Sequence, residues 1–195
     1  MDLKDVQPYI EGKICMVTGG GGSIGSEIVR SLSKLNAEKI VIVDIYENGA
    51  YSVKCEVGDK VTVEIASVRD YEKMDCIMNK YRPDIVFHAA AHKHVPFMEL
   101  NPEEAVKNNV KGTETVADLA EKYNADNFVL ISTDKAVEPI SVMGASKRCC
   151  EMYVYEKLLK SKHTKFSAVR FGNVLNSNGS VIPLFKKQVE NGVVT

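Results

Sequence analysis

Short apolar runs alternate along the chain with longer stretches in which apolar residues recur every three or four positions. Six runs have the length and β-branched content of buried strands: residues 14–18, 39–44, 61–65, 84–88, 127–132 and 166–171. After the first run, Ile24, Ile28, Leu32 and Leu35 fall on one stripe of a helix. A second helix is predicted from Asp70, an N-cap residue by type, to about Tyr81, where Pro83 blocks further turns. Asn101 and Pro102 open a third, since proline suits the first helical position. A fourth carries Ala145, Cys149, Met152 and Leu159 in its apolar pattern, and another is expected after Val181. Repeated strand–helix–strand units imply an α/β fold. The expected form is a doubly wound parallel sheet with right-handed crossovers and helices on both faces.

Composition narrows the class. At 195 residues and 45% hydrophobic content the chain is too apolar for disorder, and one core suffices at this size. Lys and Arg number 25 against 26 Asp and Glu, a net charge of −1, which argues against general binding to nucleic acid or anionic membrane. No apolar run approaches the ~20 residues that span a bilayer. The polar, acidic start has no secretory pattern. Cys15, Cys55, Cys76, Cys149 and Cys150 form no CxxC pair, so reduced thiols in a cytoplasmic setting are expected.

The first strand runs into Thr18-Gly19-Gly20-Gly21-Gly22-Ser23-Ile24-Gly25, with Gly19, Gly22 and Gly25 spaced three apart. Such a turn between strand and helix lets backbone approach a pyrophosphate, and the helix N-terminus then faces the phosphates. Asp44 closes the second strand nineteen residues after Gly25. An acid there suits a ribose 2′-hydroxyl and repels a 2′-phosphate, so NAD is expected over NADP.

Around these residues the chain resembles the extended short-chain dehydrogenase/reductase superfamily. Four stretches narrow the resemblance: 87–99 (FHAAAHKHVPFME), 108–113 (NNVKGT), 132–147 (STDKAVEPISVMGASK) and 169–185 (VRFGNVLNSNGSVIPLF). Together they are similar to the nucleotide-sugar 4,6-dehydratases that act on UDP-N-acetylglucosamine in capsule, O-antigen and glycosylation pathways. Most of the superfamily has Tyr-x-x-x-Lys where this chain has Met143-Gly144-Ala145-Ser146-Lys147, so it resembles a methionine-for-tyrosine branch. Family members continue beyond the position of Thr195 into a domain that closes over the sugar. The chain is therefore expected to be an NAD-binding Rossmann domain with its core at about 12–180. Residues 181–195 would start a truncated substrate domain, and the chain alone would be nearly inactive.

The resemblance implies a redox-neutral lyase with tightly held NAD and a UDP-sugar substrate. Oxidation at C4 would acidify the C5 proton, which Lys135 removes. Asp134, protonated at that step, helps the C6 hydroxyl leave as water, and reduction at C6 completes the turnover. For this Lys135 must be neutral, and like charge from Lys147 and Lys93 would favour that. With no tyrosine, Thr133 or Asp134 would take the C4 hydroxyl proton, while Met143 lines the sugar pocket and Lys147 binds the nicotinamide ribose. Cofactor contacts are expected from Gly19, Gly22, Ser23, Ile24, Gly25, Asp44, Ser67, Val68, Ala89 and Ala90. Substrate contacts are expected from Lys93, His94, Asn173, Ser180 and Val181, with Pro183 beside the nucleoside. Ser67 stands where the superfamily often has an acid for adenine, and Asp70 reads as a cap.

His92 and His94 lack a third ligand, so no metal is expected. His88 reads as structural, and His163 with Lys160, Lys162 and Lys165 as a solvated surface. Pairing of copies through the third and fourth helices would make a homo-oligomer. Two alternatives stay open: a sugar-nucleotide 4-epimerase or reductase, against which the missing tyrosine argues, and a non-catalytic NAD-binding or assembly module.

Overall fold

The computed structural model describes residues 5–174. Ser180, Val181, Pro183 and the helix expected after Val181 lie outside them. The elements are α1 (Gln7–Ile10), β1 (Ile14–Thr18), α2 (Ser23–Lys34), β2 (Lys39–Asp44), α3 (Glu47–Val57), β3 (Val61–Ile65), α4 (Tyr71–Tyr81), β4 (Ile85–His88) and α5 (Val95–Leu100). There follow α6 (Pro102–Ala105), a π turn (Val106–Lys111), α7 (Gly112–Lys122), β5 (Asn127–Ile131), a 3-10 turn (Asp134–Ala136), α8 (Val142–Lys160) and β6 (Lys165–Val169). The six strands are parallel in the order β3-β2-β1-β4-β5-β6. The chain winds outward from β1 to β3, then returns to β4 on the other side of β1. The crevice at the carboxyl ends of β1 and β4 is thus the switch point where such sheets bind ligands.

Alternation along the strands feeds two cores. Cys15, Val17, Ile40 and Ile42 face α2 and α3 with Val29, Leu32 and Leu35. Met16, Val41, Val43, Val86, Phe128, Leu130 and Phe166 face α4, α7 and α8. Both faces of β2 are covered, which is why it reads KIVIVD without polar alternation. Asp70 caps α4, accepting the Lys73 N–H at 3.0 Å, as its position in the sequence predicts.

The structure departs from the sequence pattern at several points. β4 starts at Ile85, because the Asp84 carboxylate turns to accept the Ile14 N–H at 2.7 Å. β5 ends at Ile131 and β6 at Val169, since Ser132 and Arg170 direct their side chains to Glu151. On α8 the pattern is inverted: Ala145, Cys149, Met152 and Leu159 are exposed. The buried face holds Met143, Ser146, Lys147, Cys150, Glu151 and Val154. Polar groups of that inner face bond to other elements, Ser146 to Asn109 and Glu151 to Ser132 and Arg170, so hydrophobicity does not mark it as the inside. The third helix is a rod over residues 102–122 interrupted by the π turn. All five cysteines are free thiols. Among the described residues no helix is long and apolar enough to cross a membrane.

Candidate active site

The turn after β1 is built on close backbone approaches. Gly19 has φ +70°, and a Cβ there would sit 2.7 Å from the Ala90 nitrogen, so the turn lies against Ala89 and Ala90 at the end of β4. A Cβ on Gly25 would meet the Gly19 carbonyl oxygen at 2.1 Å, so the first turn of α2 rests on the glycine turn itself. Gly22 is the N-cap and offers no side chain to the first-turn N–H groups of Ser23, Ile24 and Gly25. A helix N-terminus without a side-chain cap suits an anion. Asp44 is almost buried and spans the turn: one carboxylate oxygen accepts the Gly21 N–H and the other the Tyr46 N–H, each at 2.8 Å. Across the crevice, Ser67 Oγ accepts the Arg69 N–H at 3.2 Å, and Val68 is buried against Gly112. The Ser67 hydroxyl keeps its own O–H donor, and the backbone of that turn is open to an adenine as well.

A buried polar chain underlies the crevice. Thr18 Oγ1 lies 2.7 Å from His88 Nδ1, and His88 Nε2 lies 3.0 Å from Thr113 Oγ1. The histidine is structural, as its place on an apolar strand suggests. Beside it, Asn109 in the π turn clasps the loop after β4. Its side chain accepts the His92 N–H at 2.8 Å, donates to the His92 carbonyl at 3.1 Å and donates to Ser146 Oγ at 2.9 Å. The sequence marks Asn109 only as part of NNVKGT. A π turn is a frequent companion of functional sites.

Past β5, Thr133 Oγ1 donates to Asp134 Oδ1 at 2.8 Å, and Lys135 Nζ donates to the same oxygen at 3.2 Å. Lys135 Nζ also lies 3.5 Å from Asn173 Oδ1, and the Asp134 N–H donates to the Phe171 carbonyl at 3.0 Å. Thr133, Asp134, Lys135 and Asn173 therefore meet at the carboxyl ends of β5 and β6. The Thr133 hydroxyl and then the Lys135 ammonium hold the Asp134 carboxyl below the usual carboxylate range. This geometry favours the ionised form before reaction.

Lys147 is buried on the second turn of α8, where burial pulls its ammonium below the ordinary lysine range and Cys150 and Glu151 push it back. Together with burial, the Lys147 charge in turn helps lower the His88 imidazole pKa. Met143 packs with Met98 and Ala105 in a small apolar cluster. Lys93 and His94 are exposed at the start of α5, where His94 is the N-cap and its ring lies 5.8 Å from Phe97. Among the described residues no three His, Cys, Asp or Glu side chains are grouped to hold a metal.

Sequence reading also passed over Glu151. It stands four residues after Lys147 on the same helix face, and that acid-after-lysine spacing was the available signal.

Six parallel strands in this order, with a glycine turn after β1 and an acid ending β2, define a Rossmann-type α/β domain. The profile of the polysaccharide biosynthesis protein family matches residues 15–195, and the chain belongs to that family. It is 52% identical over 198 aligned residues to the probable polysaccharide biosynthesis protein EpsC of Bacillus subtilis, covering 98% of this chain and 33% of that protein. It is 35% identical to a UDP-N-acetylglucosamine 4,6-dehydratase (inverting) of Campylobacter jejuni, covering 93% of this chain and 55% of that enzyme. The fold matches the crystal structure of a UDP-glucose 4-epimerase of Thermotoga maritima with UDP-glucose at a TM-score of 0.81 and 26% identity. That match covers 92% of this chain and 64% of the other. The chain thus spans about a third to a little over half the length of these two sequence relatives.

Proposed function

We propose that this chain is the cofactor-bearing and reaction-bearing part of an NAD-dependent nucleotide-sugar 4,6-dehydratase. Its substrate would be UDP-N-acetylglucosamine and its product a 4-keto-6-deoxy sugar nucleotide for polysaccharide or glycan synthesis. The observation that carries the reading is the Asp134–Lys135 pair, an acid and an amine on one carboxylate oxygen at the carboxyl end of β5. The 35% identity to a dehydratase of that substrate supports it.

The dinucleotide fits the residues present. The absence of side chains at Gly19 and Gly25 lets the turn close on Ala90 and on the start of α2, which leaves the uncapped helix N-terminus for a pyrophosphate, and the fixed Asp44 carboxylate keeps lone pairs for ribose hydroxyls. Lys147 would hold the nicotinamide ribose. Bound there, NAD supplies reversible oxidation, at C4 first and at C6 in reverse. The chain's own residues then move protons. Asp134, directly or relayed through the Thr133 hydroxyl that donates to it, accepts the proton of the C4 hydroxyl. Lys135, once neutral, takes the C5 proton. Asp134, released from Lys135 and protonated, gives a proton to the departing C6 hydroxyl. Lys93, His94 and Asn173 orient the sugar. Positioning of the three carbons at one site contributes much of the acceleration.

Proton NMR of UDP-N-acetylglucosamine incubated in deuterium oxide with a chain extended to the length of its relatives tests the reading. A 4-keto-6-deoxy product with deuterium at C5 is expected. A C4 epimer without C5 deuterium would replace it with the epimerase reading, which the likeness to the Thermotoga maritima epimerase favours. NAD binding without turnover would leave a non-catalytic module.

We also propose self-association through α8, whose outer face exposes Met152, Tyr155, Leu158 and Leu159. Sedimentation is expected to show a species larger than the monomer at micromolar concentration, and Met152→Lys with Leu159→Glu should dissociate it. A wild-type chain that stays monomeric contradicts this.

A further inference from the structure

Four polar side chains converge beneath the candidate site. The Glu151 carboxylate, almost wholly buried on α8, accepts the Ser132 hydroxyl at 2.6 Å. Arg170 grips it with two bonds, Nε to Oε1 at 2.8 Å and Nη2 to Oε2 at 2.6 Å. Arg148 adds a fourth at 3.2 Å. The position of each partner matters. Ser132 immediately precedes Thr133, Asp134 and Lys135. Arg170 immediately precedes Phe171, whose carbonyl holds the Asp134 N–H. Glu151 itself lies four residues after Lys147, on the same buried face of α8.

We propose that Glu151 is a positioning residue: its carboxylate fastens the helix carrying Lys147 to the strand ends carrying Asp134 and Lys135, and is the buried counter-charge of Lys147. The inference rests on the reading of Lys147 as part of the cofactor site. Packing alone does not call for a carboxylate here, because apolar residues of similar volume replace buried ion pairs at little or no cost to stability.

The charges facing Lys147 supply the reason. From β4 comes His88, which burial and then Lys147 itself push down to about 3, so it is neutral. From α8 come Cys150, whose thiol burial keeps protonated, and Glu151. From α7 comes Thr113, which has no charge. Burial drives the Glu151 carboxyl up, but Arg170, Ser132 and Arg148 together outweigh it and keep the group ionised. Lys147 has no ion pair of its own among the described residues, so in this set the carboxylate of Glu151 is the anion that meets its charge. Arg170 and Arg148 reach solvent with a large part of their side chains, where water screens them. The two buried charges interact through protein and are screened less.

The test is an NMR titration of Lys147 in the lysine-labelled chain, read beside calorimetric NAD binding. In Glu151→Gln the amide oxygen keeps the bonds from Ser132 and Arg170 Nε, while the NH2 gives up those from Arg170 Nη2 and Arg148, and the charge is removed. The Lys147 midpoint is expected to fall by about one pH unit, a tenfold loss of proton affinity. NAD affinity is expected to fall about tenfold as well, with its alkaline decline setting in earlier. Glu151→Asp retains the charge and is expected to restore the midpoint. A purely structural Glu151 would lower the melting temperature in both variants and leave the midpoint where it is, and that result overturns the proposal. If Glu151→Gln does not fold, the Lys147→Met/Glu151→Gln double variant decides: recovery of the fold supports a charge pair, and failure to recover overturns it. Absence of NAD binding by the wild-type chain would sink the dinucleotide reading, while the Lys147 titration still decides the charge relation.

Discussion

His88 Nδ1 lies 2.7 Å from the Thr18 hydroxyl, so a neutral imidazole ties the end of β1 to β4 just where the glycine turn begins. Burial first, and the nearby Lys147 charge second, push the ring from its ordinary 6.5 to about 3. The folded state thus binds a proton less readily than the unfolded chain. The stability this ring confers is complete above the unfolded value and is lost as pH falls from about 6.5 towards 3, at up to ~1.4 kcal/mol per pH unit. Between pH 7 and pH 5 the wild type should lose about 2 kcal/mol more than His88→Gln. Urea unfolding of both at the two pH values checks this, and equal losses would refute it.

Asp44 couples cofactor choice to the shape of the turn. Both its oxygens are held by backbone N–H groups, so the carboxylate cannot swing aside to admit a 2′-phosphate. NAD should bind more tightly than NADP in calorimetry. Asp44→Ala should narrow the gap by weakening NAD and easing NADP, and an unchanged ratio would count against the assignment.

Gly25 and Gly22 make a matched pair of probes. A methyl group on Gly25 would overlap the Gly19 carbonyl, backbone against backbone, whereas on Gly22 it would meet only that oxygen at 3.3 Å. Gly25→Ala is expected to cost at least ~2 kcal/mol and to abolish NAD binding, since overpacking here has no side chain that can yield. Gly22→Ala should be mild in thermal unfolding. Reversal of that order would contradict the contact geometry.

In a chain extended to the length of its relatives, Asp134→Asn should leave NAD affinity intact and slow conversion of UDP-N-acetylglucosamine by roughly 10²-fold or more, the usual scale for a positioned acid or base. Lys135→Met should suppress deuterium entry at C5. Activity retained in the double variant would remove both residues from the chemistry.

The sheet was largely legible because its central strands β1 and β2 are buried on both faces. β1, β2 and β3 occupy the residues that the apolar runs delimit. The glycine turn, Asp44 and the capping Asp70 were legible for a different reason: each answers a local backbone requirement. What sequence concealed lies where side chains satisfy one another across elements. α8 turns Ser146, Lys147, Cys150 and Glu151 inward and Met152, Leu158 and Leu159 outward, so periodicity pointed to the wrong face. α1 and α5 are too short to show a period, and the π turn differs from its neighbours only in hydrogen bonding. The role of Glu151 needed three dimensions, because Ser132 and Arg170 are brought to it by different strands.

The π turn at Val106–Lys111 has a consequence for changes of chain length. Such a turn accommodates one residue more than an α-helix needs while the helix on either side keeps its facing. Removing one residue inside it would let the α-helix close through, with Ala105 before it and Val116 after it still pointing into their cores. Removing one residue within Gly112–Lys122 would rotate everything beyond by about 100° and take Leu119 out of the interior. The first deletion would keep the fold and displace Asn109 from His92 and Ser146, so at this one turn the length of the chain tunes the crevice separately from the domain that carries it.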